Sequence, residues 1–107
     1  WEVFKKSSIN RNFELNVFQY VKDKKIKLPT YLSAGQETIS ASLSEICRQK
    51  KIKPLIFGQH RCHSIYLSFG GLIDKLILEL LGSKKGCTYG MGGSASIHSE
   101  KIKMYGH

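Results

Sequence analysis

The sequence predicts a mainly helical chain with one short strand, and three stretches carry that reading. Phe13, Val17, Tyr20 and Val21 recur at i, i+4, i+7 and i+8, the apolar stripe of an amphipathic helix. Ile73, Leu76, Ile77, Leu80 and Leu81 repeat the same period downstream. Between them, the run Leu55-Ile56-Phe57 is long enough for a short strand and no more.

In chain order, residues 1–25 read as one long helix, tolerating a break near Ser7-Ser8, with Phe4 and Phe18 beside the stripe. Arg11 and Glu14 are spaced to pair along one face. Lys22-Asp23-Lys24-Lys25 ends the pattern and Pro29 closes it. Ser33 followed by Gln36 has the spacing of a capping box, the hydroxyl taking a free helix-start amide while the glutamine reaches back. The helix it opens should run from about Gly35 to Gln49, burying Ile39, Leu43, Ile46 and Cys47. Its small residues Ser40, Ala41, Ser42 and Ser44 suit close packing. A basic turn, Arg48 to Pro54, leads to the strand. Ile65, Tyr66 and Phe69 predict a further helix ended by Gly70-Gly71. The Ile73–Leu81 helix is almost apolar all round, so burial is expected, or self-association where its covering is missing. Gly82 ends it, residues 83–99 form a Gly- and Ser-rich loop, and Lys101 to His107 read as a short extended piece. No repeat is visible.

Composition bounds the partners. At 107 residues the chain is at most one domain, or part of a larger one. The run Leu72 to Leu81 is too short and too charged to span a membrane, and the N-terminus lacks the order of a signal peptide. The absence of an initiator Met leaves the natural start open. Cys47, Cys62 and Cys87 support neither a disulfide framework nor a metal site, so a reducing cytoplasm is the simplest home. Net charge is +9, and 11 of the 17 Lys and Arg lie in residues 1–53. Solvated helix ends and turns explain most of them. A nucleic-acid or acidic-lipid surface is the sharper alternative, but no aromatic residues interleave with these lysines as a stacking platform requires.

Two stretches carry chemistry. Gln59-His60-Arg61-Cys62-His63 follows the strand: Arg61 offers a forked donor for phosphate oxygens, and the histidines donate hydrogen bonds or move protons near neutral pH. Two His three positions apart also suit zinc on a helix, but no third ligand stands at a metal spacing, and no metal role is assigned. The second stretch, Gly86 to Ser94, includes a formal dinucleotide fingerprint, Gly90-x-Gly92-x-x-Ala95. Its context is wrong, because a helix precedes it and no helical period follows. The glycines instead permit close backbone approach, or an anion held by successive amides. His98 and His107 read as plain surface residues.

Tyr31-Leu-Ser-Ala-Gly-Gln-Glu37, Phe57-Gly-Gln-His-Arg-Cys-His63 and Leu81-Gly-x-x-x-Gly-Cys-x-x-Gly-x-Gly-Gly-Ser94 occur in one order. With Arg11-x-Phe13-Glu14 ahead of them, the chain from about Ile9 onward resembles the alpha subunit of thiamine-diphosphate-dependent 2-oxo acid dehydrogenases. These are the decarboxylating components of the pyruvate, branched-chain 2-oxo acid and acetoin dehydrogenase complexes. The resemblance implies an α/β thiamine-diphosphate-binding fold, a parallel sheet flanked by helices. Residues 1–107 would be the incomplete, mainly helical N-terminal part of that single domain. It implies oxidative decarboxylation of a 2-oxo acid, acyl transfer to a lipoyl carrier, and thiamine diphosphate as cofactor, with Mg2+ held by residues outside this chain. The implied partners are a beta subunit in an alpha-two beta-two assembly, a second alpha subunit, and a lipoyl acyltransferase component.

Carried over position by position, His60 and Arg61 fall on the pair that contacts the cofactor diphosphate, and Gln59 lines the same site. His63 matches the histidine of the His/Tyr-Arg-x-His pattern and is the expected catalytic residue. Gly90 to Ser94 resembles a segment near the cofactor and the subunit interface. Tyr31 departs from the family, which usually has an active-site histidine there. The Gly-Asp-Gly…Asn segment that holds magnesium would lie beyond the last residue, so the isolated chain is expected to be inactive. Two further readings stand beside this one: a small basic nucleic-acid-binding module, and a degenerate, non-catalytic scaffold subunit.

Overall fold

The computed structural model describes residues 1–27 and 29–105. Its elements are α1 (Glu2–Lys22), α2 (Glu37–Gln49), α3 (His63–Ser68), α4 (Ile73–Leu80), β1 (His98–Ser99), a 3-10 turn (Glu100–Ile102) and β2 (Met104–Tyr105). The described chain is therefore mainly helical, as the periodicity predicts, and carries a small two-stranded sheet that the periodicity does not predict. Among the described residues, no helix is long and apolar enough to cross a membrane. The expected extended piece at Lys101–His107 is a 3-10 turn followed by β2, and Gly106 and His107 lie outside the described residues.

α1 runs through Ser7-Ser8 without a break and buries Phe13 and Val17, while Val21 at the end of the stripe is exposed. It stops at Lys22, where Lys24 turns into the left-handed region (φ 60°) and the Lys25 amide returns to the Tyr20 carbonyl. α2 ends the same way on Lys51 (φ 56°), with the Ile52 amide on the Cys47 carbonyl. α3 and α4 end on Gly70 (φ 101°) and Gly82 (φ 79°), as their glycines predict.

α2 corrects two expectations. Its buried face is Glu37, Ser40, Ala41, Ser44 and Glu45, whereas Ile39, Leu43 and Ile46 point to solvent and Cys47 is half-buried. The apolar stripe and the small-residue stripe occupy opposite faces, so only one could face α1 and α3. The small one wins because it brings polar partners together: Ser40 Oγ meets Ser64 Oγ at 3.0 Å, Lys6 Nζ donates to Ser44 Oγ at 3.0 Å, and Asn10 Nδ2 donates to Ser68 Oγ across the neighbouring α1–α3 contact at 2.8 Å. The capping box does not form either. The helix starts after Gln36 with no side-chain cap, Ser33 Oγ is buried without a partner, and the Glu37 carboxylate takes the Gly35 amide at 2.6 Å.

The expected strand at Leu55–Phe57 shrinks to a single bridge. Ile56 pairs in parallel with Met104, donating its amide to the Lys103 carbonyl (2.8 Å) and accepting the Tyr105 amide (2.9 Å), while Leu55 and Phe57 stay exposed. Met104 is also paired with Ser99 in the antiparallel β1–β2 ladder, so these short pieces meet on one residue. The core gathers around them: Phe13, Val17, Ile26, Ile56, Cys62, Tyr66, Leu76, Leu80, Ile97 and Met104. Gly58 is required here, since a Cβ would lie 2.8 Å from the Cys62 Cβ. α4 is less covered than its composition suggests, with Leu76, Glu79 and Leu80 buried but Ile73 exposed.

Candidate functional site

The turn after Ile56 carries Gln59, His60 and Arg61 to the surface, and all three are exposed. They line one side of an open cavity of about 420 Å³, with Ile39, Phe57 and Ile65 on another, and no carboxylate among its lining residues. Arg61 Nη1 donates to the Leu32 carbonyl at 2.6 Å, which ties the guanidinium to the neighbouring segment; its other N–H groups have no acceptor among the described residues. His60 stands edge-on to Tyr31, ring centroids 5.0 Å apart. A set of amide, imidazole and guanidinium donors with no acid beside it suits a multiply charged oxyanion such as a diphosphate.

His63 is placed differently from the other expected site residues. As the first residue of α3 it points into the molecule and is fully buried. Its Nδ1 meets Glu14 Oε1 at 2.7 Å and its Nε2 meets Ser94 Oγ at 2.8 Å, with Phe13 packed edge-on against the ring. Both ring nitrogens are therefore spent inside the chain. His63 is not among the residues that line the cavity.

The partners of His63 close a ring of hydrogen bonds. Ser94 Oγ also accepts the Tyr31 amide (2.9 Å), and Glu14 Oε2 accepts the Ser33 amide (2.8 Å). The path thus runs Glu14–His63–Ser94–Tyr31, along the backbone to Ser33, and back to Glu14. One tautomer satisfies every member: Nδ1–H donates to the Glu14 carboxylate, and Nε2 accepts the Ser94 hydroxyl proton. Glu14 does not pair with Arg11. Arg11 instead reaches the Glu37 carboxylate on α2, and burial, which alone would raise that carboxyl, is outweighed by the Arg11 and amide hydrogen bonds, so it ionises below its ordinary value.

The glycine-rich loop does hold an anion, but the anion is the chain's own. Glu79 Oε1 accepts the Thr88 amide (2.5 Å) and the Gly90 amide (3.1 Å); Oε2 accepts those of Gly92 and Gly93 (both 3.0 Å). The fingerprint glycines serve close packing instead. A Cβ on Gly92 would lie 2.1 Å from the Ser96 carbonyl oxygen, and one on Gly90 would lie 2.8 Å from the Gly82 carbonyl oxygen. The loop therefore joins the Gln59–His63 stretch through Ser94 and His63, not by offering amides to a ligand.

Glu14, Glu79 and Ser94 are the residues that the sequence alone does not single out. A signal for the two acids exists: Glu14 shares a face with Asn10, Phe13 and Val17, and Glu79 sits between Leu76 and Leu80 in a nearly apolar helix. A carboxylate on a buried stripe needs a partner. Cys62, inside the motif, is buried, and its thiol is pushed up to about 11 by burial, which makes it a poor nucleophile. His98 is exposed, as expected, and His107 lies outside the described residues. Among the described residues, no three His, Cys, Asp or Glu side chains cluster as metal ligands would.

No protein-family model matches the chain. Its curated relatives are alpha subunits of the pyruvate dehydrogenase E1 component. It is 28% identical to the mitochondrial alpha-1 subunit of Arabidopsis thaliana over 98% of this chain and 26% of that protein. Against the mitochondrial alpha subunit of Chaetomium thermophilum it is 32% identical over 78% of this chain and 20% of the relative. Against that of Saccharomyces cerevisiae it is 30% identical over 92% of this chain and 23% of the relative. The chain spans about a quarter of the length of these relatives.

Proposed function

We propose that this chain is the N-terminal part of the thiamine-diphosphate-binding domain of a 2-oxo acid dehydrogenase alpha subunit, presenting Gln59, His60 and Arg61 to the cofactor's diphosphate. The observation that carries the reading is the exposed Arg61 guanidinium, anchored by one bond to Leu32 and flanked by donors on a cavity without carboxylates. Similarity to pyruvate dehydrogenase E1 alpha subunits over nearly the whole chain supports it. Thiamine diphosphate, when bound, supplies the carbanion chemistry that a 2-oxo acid decarboxylation needs.

The chain's own residues then have separable tasks. Arg61 gives charge-assisted bonds to phosphate oxygens, and Gln59 and His60 add donors at the same edge. Ile39, Phe57 and Ile65 keep an apolar wall beside them. Tyr31 packs against His60 and restricts where that ring can point. His63 holds the turn from behind. In this reading Mg2+ is held by residues outside the chain, a beta subunit and a second alpha subunit complete the assembly, and a lipoyl acyltransferase component accepts the acyl group. The working compartment is a reducing cytoplasm. The intact domain has the α/β fold of the family, with residues 1–107 as one incomplete portion.

The test uses the longer protein that carries this chain, expressed with its beta subunit. Cofactor-dependent release of CO2 from pyruvate or a branched 2-oxo acid is expected, and Arg61→Ala should raise the apparent Kd for thiamine diphosphate by about tenfold or more, the loss of a hydrogen bond to a charged group. Cofactor affinity unchanged by Arg61→Ala would remove the diphosphate role. The 107-residue chain alone should turn over no 2-oxo acid, and measurable turnover by it would contradict the reading.

A further inference from the structure

We infer that Glu14 and Ser94, acting through His63, are positioning residues for Arg61: the buried ring they form sets the direction in which the guanidinium meets its anion. The inference rests on the proposed diphosphate role of Arg61, and adds to it which distant residues control that role.

The geometry makes the case. Tyr31 to Ser33 has no helix or strand of its own, and a segment without ladder bonds must be held by other means. Its Tyr31 amide goes to Ser94 Oγ and its Ser33 amide to Glu14 Oε2, both into the ring. Between them, the Leu32 carbonyl turns the other way and accepts from Arg61 Nη1. The carbonyl that orients Arg61 is thus pinned on both sides by groups that are themselves fully buried: Glu14, His63 and Ser94 are each 0–1% exposed. Arg61 itself is exposed and would otherwise sample many rotamers, so a fixed acceptor reduces the ordering cost of binding.

Four separate stretches meet in the ring: α1 through Glu14, the 31–33 segment, the start of α3 through His63, and the glycine loop through Ser94. The loop is in turn held by Glu79 through the Gly92 and Gly93 amides, immediately before Ser94. A purely structural role would be met by any bond that joins these elements. The ring does more, because its two amide contacts bracket the one carbonyl that Arg61 uses.

The proton pattern gives a discriminating variant. In Glu14→Gln the amide oxygen can still accept from Ser33 and the amide nitrogen can donate to His63 Nδ1. The imidazole then carries its proton on Nε2 and donates to Ser94 Oγ, so the ring survives with its proton direction reversed. Ser94→Ala removes the acceptor for the Tyr31 amide and the partner of Nε2, and no tautomer restores them.

The experiment is a double-mutant cycle on thiamine diphosphate affinity in the longer protein with its beta subunit, read by calorimetry, with far-UV circular dichroism confirming that each variant is folded. Ser94→Ala should weaken binding about tenfold, Glu14→Gln should stay within about twofold, and Ser94→Ala combined with Arg61→Ala should be no weaker than Arg61→Ala alone. Fully additive losses, or a Glu14→Gln loss as large as that of Ser94→Ala, would overturn the inference while leaving the proposed function intact. Absence of cofactor binding by the wild type sinks the proposed function instead. The inference is then judged on the unliganded protein by the Arg61 Nε–H NMR signal. A signal that moves to the free-arginine position in Ser94→Ala and not in Glu14→Gln upholds it, and one unchanged in both refutes it. Should Ser94→Ala fail to fold, His63→Asn and Ser94→Cys give the same comparison.

Discussion

Glu79 shows how one side chain can organise a stretch that has no secondary structure. Four backbone amides from Thr88 to Gly93 converge on its two oxygens, and the residue is fully buried. Replacing it with Ala leaves those donors without acceptors, each a desolvation cost that folding does not recover. Glu79→Ala should lower unfolding stability by about 3 kcal/mol or more, measured by urea denaturation. Glu79→Gln retains one acceptor oxygen and turns a donor toward the amides, so its loss should be smaller but still measurable. Equal stability of wild type and Glu79→Ala would show that the amides find other acceptors. At the same scale, Glu14 and Glu79 share a logic: each buried carboxylate collects donors, Glu79 from the single loop that follows it and Glu14 from two distant stretches.

At the scale of elements, α2 is the informative one. Its outward face carries Ile39, Leu43 and Ile46, and its inward face carries Ser40, Ala41 and Ser44. A hydrophobic pattern records which face is apolar, but the face turned inward carries small residues and two ion-paired carboxylates, Glu37 and Glu45. Ile39→Ser should therefore change stability by no more than about 0.5 kcal/mol. Ala41→Leu, at a fully enclosed position, should cost about 1–3 kcal/mol through overpacking. Thermal or chemical denaturation of the two variants checks the assignment, and the reverse order would mean that α2 is rotated. The other helices follow their sequences in part, with Val21 of α1 and Ile73 of α4 left exposed. α3 and α4 stop at their glycines, and α1 keeps its Phe13–Val17 stripe in the core.

For the whole molecule, the charge balance sets the response to acid. Only 8 carboxylate side chains offset 17 Lys and Arg. Two of these carboxyls, Glu37 and Glu45, ionise below their ordinary value of 4.5 in the folded chain. At Glu37 burial pushes upward and is overcome by Arg11 and backbone amides, whereas at Glu45 the hydrogen bond from Arg48 leads. A lowered folded value means that each contributes stability above its ordinary pKa and loses it as pH falls through the folded value. Denaturant midpoints should therefore hold between about pH 7 and pH 5 and fall steeply below about pH 4, with Arg11→Ala flattening the fall. A midpoint that Arg11→Ala leaves equally acid-sensitive would exclude the α1–α2 ion pair as a cause.

The sequence by itself determined the helices, their glycine stops and the donor character of Gln59, His60 and Arg61, because periodicity, turn chemistry and side-chain type are local properties. It also carried the resemblance to pyruvate dehydrogenase E1 alpha subunits, in three ordered motifs. Only the tertiary structure decided which face of α2 is inside, that the Leu55–Phe57 run pairs through Ile56 alone, and that His63 looks inward while Arg61 looks out. The physical reason is the same in each case. Glu14 lies 49 residues from His63, and His63 lies 31 from Ser94. Buried polar groups choose their partners by proximity in the folded chain, and that choice sets both the packing of α2 and the direction of the candidate site.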